Sequence, residues 1–231
     1  LASGQVVPEV QQVVGLDSVA TKPADVSFES AGATPVAGLT ALQGLRTHAK
    51  VKPGDQVLVN GAAGGVGTFA IQIAVALGAE VTAVCSTRNV EMVRSLGAAH
   101  VVDYTTDDFV PGGPRFDVVL DNVGNRTSKE VLSVLRPDAR YVAISGPKDN
   151  RLLGPVPYIL RTSLAFLRAE PSFHQVTATP NDEDLTFLGE LLASGQVVPE
   201  VQQVVGLDSV ADSLAEIGTG HTRAKIVVVP D

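Results

Sequence analysis

The chain has no tryptophan, a single methionine and a single cysteine in 231 residues. One thiol, Cys85, closes no internal disulfide and supplies no thiolate cluster for structural zinc. It ends the apolar run Val81–Cys85, where a free cysteine acts as a small core residue. A reducing, cytoplasmic setting is expected. The histidines at 48, 100, 174 and 221 do not fall at metal-ligand spacing, so no metal site and no zinc catalysis are expected. No apolar run approaches the roughly 20 residues of a membrane-spanning helix. The N-terminus lacks the basic-then-apolar layout of a secretory signal, and its Leu1 in place of methionine is expected of a fragment or an assembled chain. Positive charge is also short. The formal net charge is −8, which argues against nucleic acid or an acidic membrane as partner but leaves room for one phosphate pocket.

What the chain does have is a strand, a glycine loop and a helix in immediate succession. Gln56–Asn60 is a short apolar run, Gly61 to Gly67 carries glycines at 61, 64 and 67, and a helical pattern starts at Thr68 without a gap. That order is the phosphate-binding corner of a dinucleotide fold. The glycines let the turn bend, let backbone approach a pyrophosphate and let the helix pack tightly on the strand. Free N–H groups of the first helical turn, around Gly64, Gly65 and Val66, then face the anion.

A second feature is an exact repeat. Leu1–Ala20 and Leu192–Ala211 are identical, at an offset of 191, and the match ends where Thr21 faces Asp212. Two units are too few for a repeat architecture, and old duplications drift, so a recent or artificial segment copy is expected. If the fold has one place for this segment, the copies compete for it, within one chain or between chains.

Further strands are expected at 80–85, 100–103, 116–121, 140–145, 173–178 and 225–229. Helices are expected within 35–49, from the glycine corner to Leu77, and at 89–96, 128–135, 158–168, 183–192 and 208–217. Alternation of this kind predicts an α/β fold, a doubly wound parallel Rossmann sheet in strand order 3-2-1-4-5-6.

Together these segments resemble the medium-chain dehydrogenase/reductase superfamily, in its zinc-independent quinone-oxidoreductase-like branch. The matching stretches are Gly38-Leu39-Thr40-Ala41, Gly54 to Val59, Gly61 to Gly67, Leu96-Gly97-Ala98, Val102-Asp103-Tyr104 and Asp121 to Gly124. Gly220-His221-Thr222 with Lys225, Val227 and Val228 completes the set. The repeat and the resemblance together imply three parts: a duplicated segment at 1–20 from the repeat, and from the resemblance an NADP-binding domain at 21–194 and a return segment at 195–231. The return segment would pack on an N-terminal chaperonin-10-like domain, which is expected to be missing together with most of the substrate site. Ala224 departs from the glycine that the family usually carries before the lysine of its last strand.

Cofactor choice turns on the residues just after the second strand. An acidic residue there would bind the ribose hydroxyls of NAD, whereas Cys85-Ser86-Thr87-Arg88 offers a hydroxyl and a guanidinium, which suit the 2′-phosphate of NADP. The alternative is that Arg88 is an ordinary solvated residue. The resemblance adds Tyr104 to that phosphate site and Thr40 to the nicotinamide end. Asn122, Val123 and Gly124 come after the fourth strand and Ser145 and Gly146 end the fifth, so both groups face the expected crevice. No nucleophile–base–acid set is visible, and the catalytic residues stay unknown.

The resemblance therefore implies an NADPH-dependent oxidoreductase that transfers hydride to a quinone or an activated C=C bond. As it stands the chain is expected to turn over poorly or to be inactive. It also implies a homodimer through the edge strand near 173–178. The alternatives are a non-catalytic NADP-binding fragment, an engineered strand-exchange chain and, more narrowly, an enoyl-reductase unit of a larger synthase.

Overall fold

The computed structural model describes residues 15–113, 115–146, 156–219 and 222–230. The N-terminal half contains α1 (Phe28–Ala33), α2 (Pro35–Leu42), β1 (Gln56–Asn60), α3 (Gly65–Ala76), β2 (Glu80–Cys85), α4 (Val90–Ser95) and β3 (His100–Asp103). Next come β4 (Phe116–Asp121), α5 (Ser128–Val134), β5 (Leu135–Ala143), α6 (Val156–Phe166), β6 (Ser172–Gln175) and α7 (Asp182–Ala193). The chain closes with β7 (Val201–Val205), α8 (Val210–Gly218) and β8 (Lys225–Val228).

Six parallel strands form one sheet in the order β3-β2-β1-β4-β5-β6, the expected doubly wound arrangement. The chain steps outward from β1 to β3, then crosses back to start β4 on the other side of β1. That reversal opens a crevice at the carboxyl ends of β1 and β4. β1 reads as an unbroken apolar run because helices cover both faces of a parallel sheet. Val57 and Val59 face a layer containing Leu42, Phe69, Ile73 and Leu188, while Leu58 joins Phe116, Val131, Tyr141 and Phe166 on the other side. Tyr141 stacks on Phe166 with ring centroids 5.6 Å apart. Burying each of these large side chains is worth about 1.5–3 kcal/mol.

Three strands differ from their expected limits, β8 only by ending at Val228 in place of Val229. β5 starts at Leu135, five residues before the expected 140, and ends at Ala143. Its ladder pairs Phe116 with Leu135, then jumps to Val118 with Arg140. Pro137 cannot donate to a ladder, and Asp138 adopts φ 61°, so the strand bends there. β6 occupies Ser172–Gln175 in place of 173–178.

The second copy of the repeat has a defined place. It forms the end of α7, the Gly195 turn (φ 71°), and β7, which pairs in parallel with β8 in a separate two-stranded sheet. The Val198 N–H donates to Oε1 of Gln72 at 2.8 Å, and Gln72 Nε2 returns a bond to the Val198 carbonyl at 3.0 Å. Of the first copy, residues 1–14 lie outside the described residues. Its remainder repeats one local structure. Both Leu16–Ser18 and Leu207–Ser209 form a 3-10 turn, closed by Ser18 N–H to the Gly15 carbonyl (3.0 Å) and by Ser209 N–H to the Gly206 carbonyl (3.1 Å). The copies part at the next residue: Val19 is extended (φ −132°) and Val210 helical (φ −60°). The residues beyond each copy decide between them. Pro23 disfavours helix at the residue before it, whereas Asp212 to Ile217 continue an amphipathic helix.

Candidate functional site

The glycine corner is built by close backbone approach. Gly64 is the N-cap of α3 and makes no side-chain cap, so the first-turn N–H groups point out of the helix end. A Cβ on Gly67 would sit 2.4 Å from the Gly61 carbonyl oxygen and 2.6 Å from that of Ala62, inside the contact limit of any side chain. Gly61 has φ 74°, and its absent Cβ would meet Val123 at 2.7 Å. On its outer side the corner is covered by the start of β8. Ala224 bridges to Gly64, and its N–H donates to the Ala63 carbonyl at 2.9 Å. Ala224 holds φ 53°, a left-handed conformation that glycine adopts without steric cost.

A crevice of about 710 Å³ runs along this corner. Gly64, Gly65, Val66, Ser86, Arg88 and Tyr104 line it, and so do Asn122, Val123, Ser145 and Gly146. Ten of the twelve expected site residues are therefore brought together. The other two are not. Thr40 sits within α2 and donates its hydroxyl to the Val36 carbonyl at 2.6 Å. Gly124 is buried at φ 71° and borders a neighbouring cleft on the α5–α6 side instead.

Arg88 is the only charged side chain among the described lining residues, and none of them is a carboxylate. Asp103, on the adjacent strand, turns toward Thr87 and Thr105, whose hydroxyls hold its pKa below the ordinary value. The Cys85 thiol lines the crevice floor with its pKa pushed up to about 11 by burial and the nearby Asp103 charge, so it stays a neutral thiol.

Sequence reasoning missed several lining residues, among them Asn60, Asn89, Asn125 and Thr222. Asn60 ends β1 and donates to Asp121 Oδ1 at 2.9 Å and to Asn125 Oδ1 at 3.0 Å. A polar residue closing an apolar strand beside Gly61 was the available signal. Asn89 Oδ1, Asn122 Oδ1 and Thr222 Oγ1 are buried and have no hydrogen-bond partner among the described residues. Buried polar atoms are normally paired, so three such atoms around one crevice fit a polar ligand that completes them.

Asp121 organises the turn after β4. Its Oδ1 accepts from the backbone N–H groups of Val123 and Gly124, both at 2.9 Å, which sets the path of Asn122–Gly124 along the crevice.

A doubly wound parallel sheet with a glycine-built helix start at its switch point defines a dinucleotide-binding protein of Rossmann type. The chain belongs to the zinc-binding dehydrogenase family, whose model matches residues 96–228, and it corresponds to the cofactor-binding part of the medium-chain dehydrogenase/reductase superfamily. It is 31% identical to the mitochondrial NAD(P)H oxidoreductase RTN4IP1 of Danio rerio, over 94% of this chain and 60% of that protein. The solved structure of the quinone oxidoreductase from Coxiella burnetii is similar at a TM-score of 0.77 and 30% identity, covering 90% of this chain and 62% of that one. A 2-octenoyl-CoA carboxylase reductase solved in complex with NADP and 2-octenoyl-CoA is similar at 0.74 and 25%, covering 90% and 51%. The chain thus spans about three fifths of the length of the first two proteins. Among the described residues, no group of His, Cys, Asp and Glu side chains could hold a metal ion, and no helix is long and apolar enough to cross a membrane.

Proposed function

We propose that this chain is the cofactor-binding part of a zinc-independent, NADPH-dependent oxidoreductase of the quinone-reductase type. The observation that carries this reading is the charge of the crevice. Arg88 lies beside Ser86 and Tyr104 with no carboxylate among the described lining residues, a set suited to a 2′-phosphate and not to the bare ribose hydroxyls of NAD. The pyrophosphate would lie on the N-terminus of α3 at Gly64–Val66, where backbone approach and free N–H groups favour an anion. Asn122, Val123, Ser145 and Gly146 would hold the nicotinamide end, with Thr40 and Gly124 behind it as second-line supports.

When bound, the reduced nicotinamide would supply a hydride to a quinone or to the electron-poor carbon of an activated C=C bond, and a proton from solvent would complete the reduction. The similar quinone oxidoreductase and the reductase solved with an enoyl thioester support these two substrate classes. The protein's part is to position the partners and limit water. In this reading residues 21–194 are the cofactor domain, and 195–231 return to a chaperonin-10-like substrate domain outside this sequence. Leu207, Leu214 and Ile217 are each about half exposed or more, which gives that domain an apolar seat. The edge strand β6 would pair with its counterpart in a homodimer.

The test is a titration of the chain with NADPH and, in parallel, NADH, followed by nicotinamide fluorescence. Saturable binding that prefers NADPH is expected. Equal affinity for the two, or preference for NADH, would overturn the cofactor assignment. Quinone and enone turnover by the chain joined to its substrate domain would then test the reaction.

A further inference from the structure

The twenty-residue identity has a structural counterpart that the cofactor reading does not use. β7 is one strand of a two-stranded parallel sheet, and among the described residues no strand lies along its outer edge. Two strands alone make a marginal sheet. Exposed edges are normally guarded by lysine, proline or charge, yet β7 reads Val-Gln-Gln-Val-Val, and Val204 is 51% exposed. A bulge at Gln202 leaves Gln203–Val205 as its regular stretch. The same five residues stand at Val10–Val14 of the first copy.

We propose that the outer edge of β7 is a docking site for Val10–Val14 of a second molecule of this chain, which adds there as a parallel third strand in register with β7.

One structural match and two physical arguments carry the choice of occupant. The described tail of the first copy already has the local structure of the second, as the matched turns at Leu16–Ser18 and Leu207–Ser209 show. An identical strand in parallel register places Gln beside Gln and Val beside Val and carries the same bulge, the arrangement in which like side chains stack. Addition is favoured over replacement. A first copy that displaced β7 from β8 would remake the same contacts and gain none, while losing the freedom of a separate molecule. Added at the open edge, it gains a new hydrogen-bond ladder and covers Val204.

A second molecule, and not the same one, is the donor. In-register pairing within one chain would set Leu16–Ser18 directly beside Leu207–Ser209. The first turn instead packs on α7, and the two turns make no comparable contact. Pro23 against Gly189 and α1 against β8 fasten the following stretch to its own molecule. Val14 adjoins Gly15 directly, and five extended residues span about 16 Å at ~3.3 Å each, so the donor's first turn lies close beside the β7 edge that its strand joins.

The test uses two full-length variants, Gln12→Cys and Gln203→Cys, mixed and mildly oxidised. In-register neighbours place these two positions within disulfide distance, and Cys85 is buried and un-ionised, so it stays out of the exchange. The expected result is a double-mass species whose linked peptide joins positions 12 and 203 by mass spectrometry. Adding Val13→Pro to the first variant is expected to abolish it, since proline offers no ladder N–H. That substitution touches no residue of the described fold. A linked peptide that survives Val13→Pro, or none at all, overturns the proposal. So does a bond found only at monomer mass in the doubly substituted chain. Linkage of Gln12→Cys to an Ile226→Cys chain, in place of Gln203→Cys, would show that β7 is displaced. A homodimer through β6 joins no 12–203 pair and is insensitive to Val13→Pro, so its presence or absence leaves the reading distinct.

Discussion

Tyr141 donates its hydroxyl to Oδ2 of Asp121 across 2.8 Å, tying β5 to the carboxyl end of β4 directly beneath the crevice turn. Both side chains are buried, at 0% and 1% exposure, and the Tyr158 hydroxyl lies 2.6 Å from that of Tyr141. Burial, and behind it the Asp121 charge, push the ionisation of Tyr141 far above its ordinary value, so the hydroxyl stays a donor at any working pH. With Asn60, Val123 and Gly124 on its other oxygen, the Asp121 carboxylate is fully engaged. Tyr141→Phe removes one donor and leaves Oδ2 buried without it. The expected cost is about 1–3 kcal/mol, read as a lower urea midpoint at unchanged slope. A midpoint equal to the parent's would show that Tyr158 takes over the bond.

Arg88→Ala is expected to weaken NADPH binding about 10- to 100-fold, the effect of losing a charge-assisted hydrogen bond of about 1.5–3 kcal/mol. NADH, which lacks the 2′-phosphate, should bind the variant as it binds the parent. The contrast is the informative part. An equal loss for both cofactors would mean that Arg88 supports the crevice wall and does not read the phosphate.

Gly67→Ala tests the corner itself. The new methyl would stand 2.4 and 2.6 Å from two backbone oxygens, and backbone cannot swing aside as a flexible side chain can. Movement of α3 away from the Gly61–Ala62 turn is expected, with cofactor binding lost and the Tm lowered by several degrees. Differential scanning fluorimetry alongside the NADPH titration reads both. Binding that survives intact would show that the helix end tolerates displacement.

The sheet was legible because its strands are short apolar runs bounded by glycine or proline turns. β1, β2, β3 and β4 fall on their expected residues without change. β5 was misjudged at its start because Leu135 ends a helical pattern and begins a strand at once, and the Pro137–Asp138 bend hides the continuity. β7 carried no alternating or continuous apolar pattern, since the exposed sheet it belongs to demands neither. The crevice was legible where backbone geometry demands glycine, and at the strand ends that topology must bring together. It was not legible at Asn60, Asn89 or Thr222, because a single polar residue ending a strand or starting a helix is common. Their meeting depends on long-range register that local sequence does not record.

Ala224 offers a gain in place of a loss. A left-handed conformation costs a residue with a Cβ about 1–2 kcal/mol, while glycine costs about 0.5–1 kcal/mol more chain entropy than alanine. Ala224→Gly is therefore expected to stabilise the fold by about 0.5–1 kcal/mol. At this chain length each kcal/mol moves the Tm by about 2–4 °C. Its hydrogen bond to Ala63 uses only backbone and survives the change. A lowered Tm would mean that the methyl, on a residue 8% exposed, packs better than its strained backbone costs.

Asp184 gives the pH dependence a sign. Its side chain is 8% exposed in the first turn of α7, 2.5 Å from Arg46, and accepts from Gln43 and Asn181 at 2.8 Å each. Burial by itself raises the pKa, but the hydrogen bonds from Asn181 and Gln43, with the Arg46 charge, outweigh it and hold the carboxyl below its ordinary value. A group whose folded pKa is depressed adds stability that is present above its unfolded pKa, about 3.9. That stability is lost as pH falls through the folded value. The chain should therefore lose stability on acidification below about pH 5. Asp184→Asn should be less stable than the parent near neutrality and lose less on acidification, so the two unfolding curves converge. Urea midpoints for both proteins at neutral, mildly acidic and strongly acidic pH decide it. A difference that stays constant across the series would place the acid sensitivity elsewhere in the fold and leave Asp184 with a packing role alone.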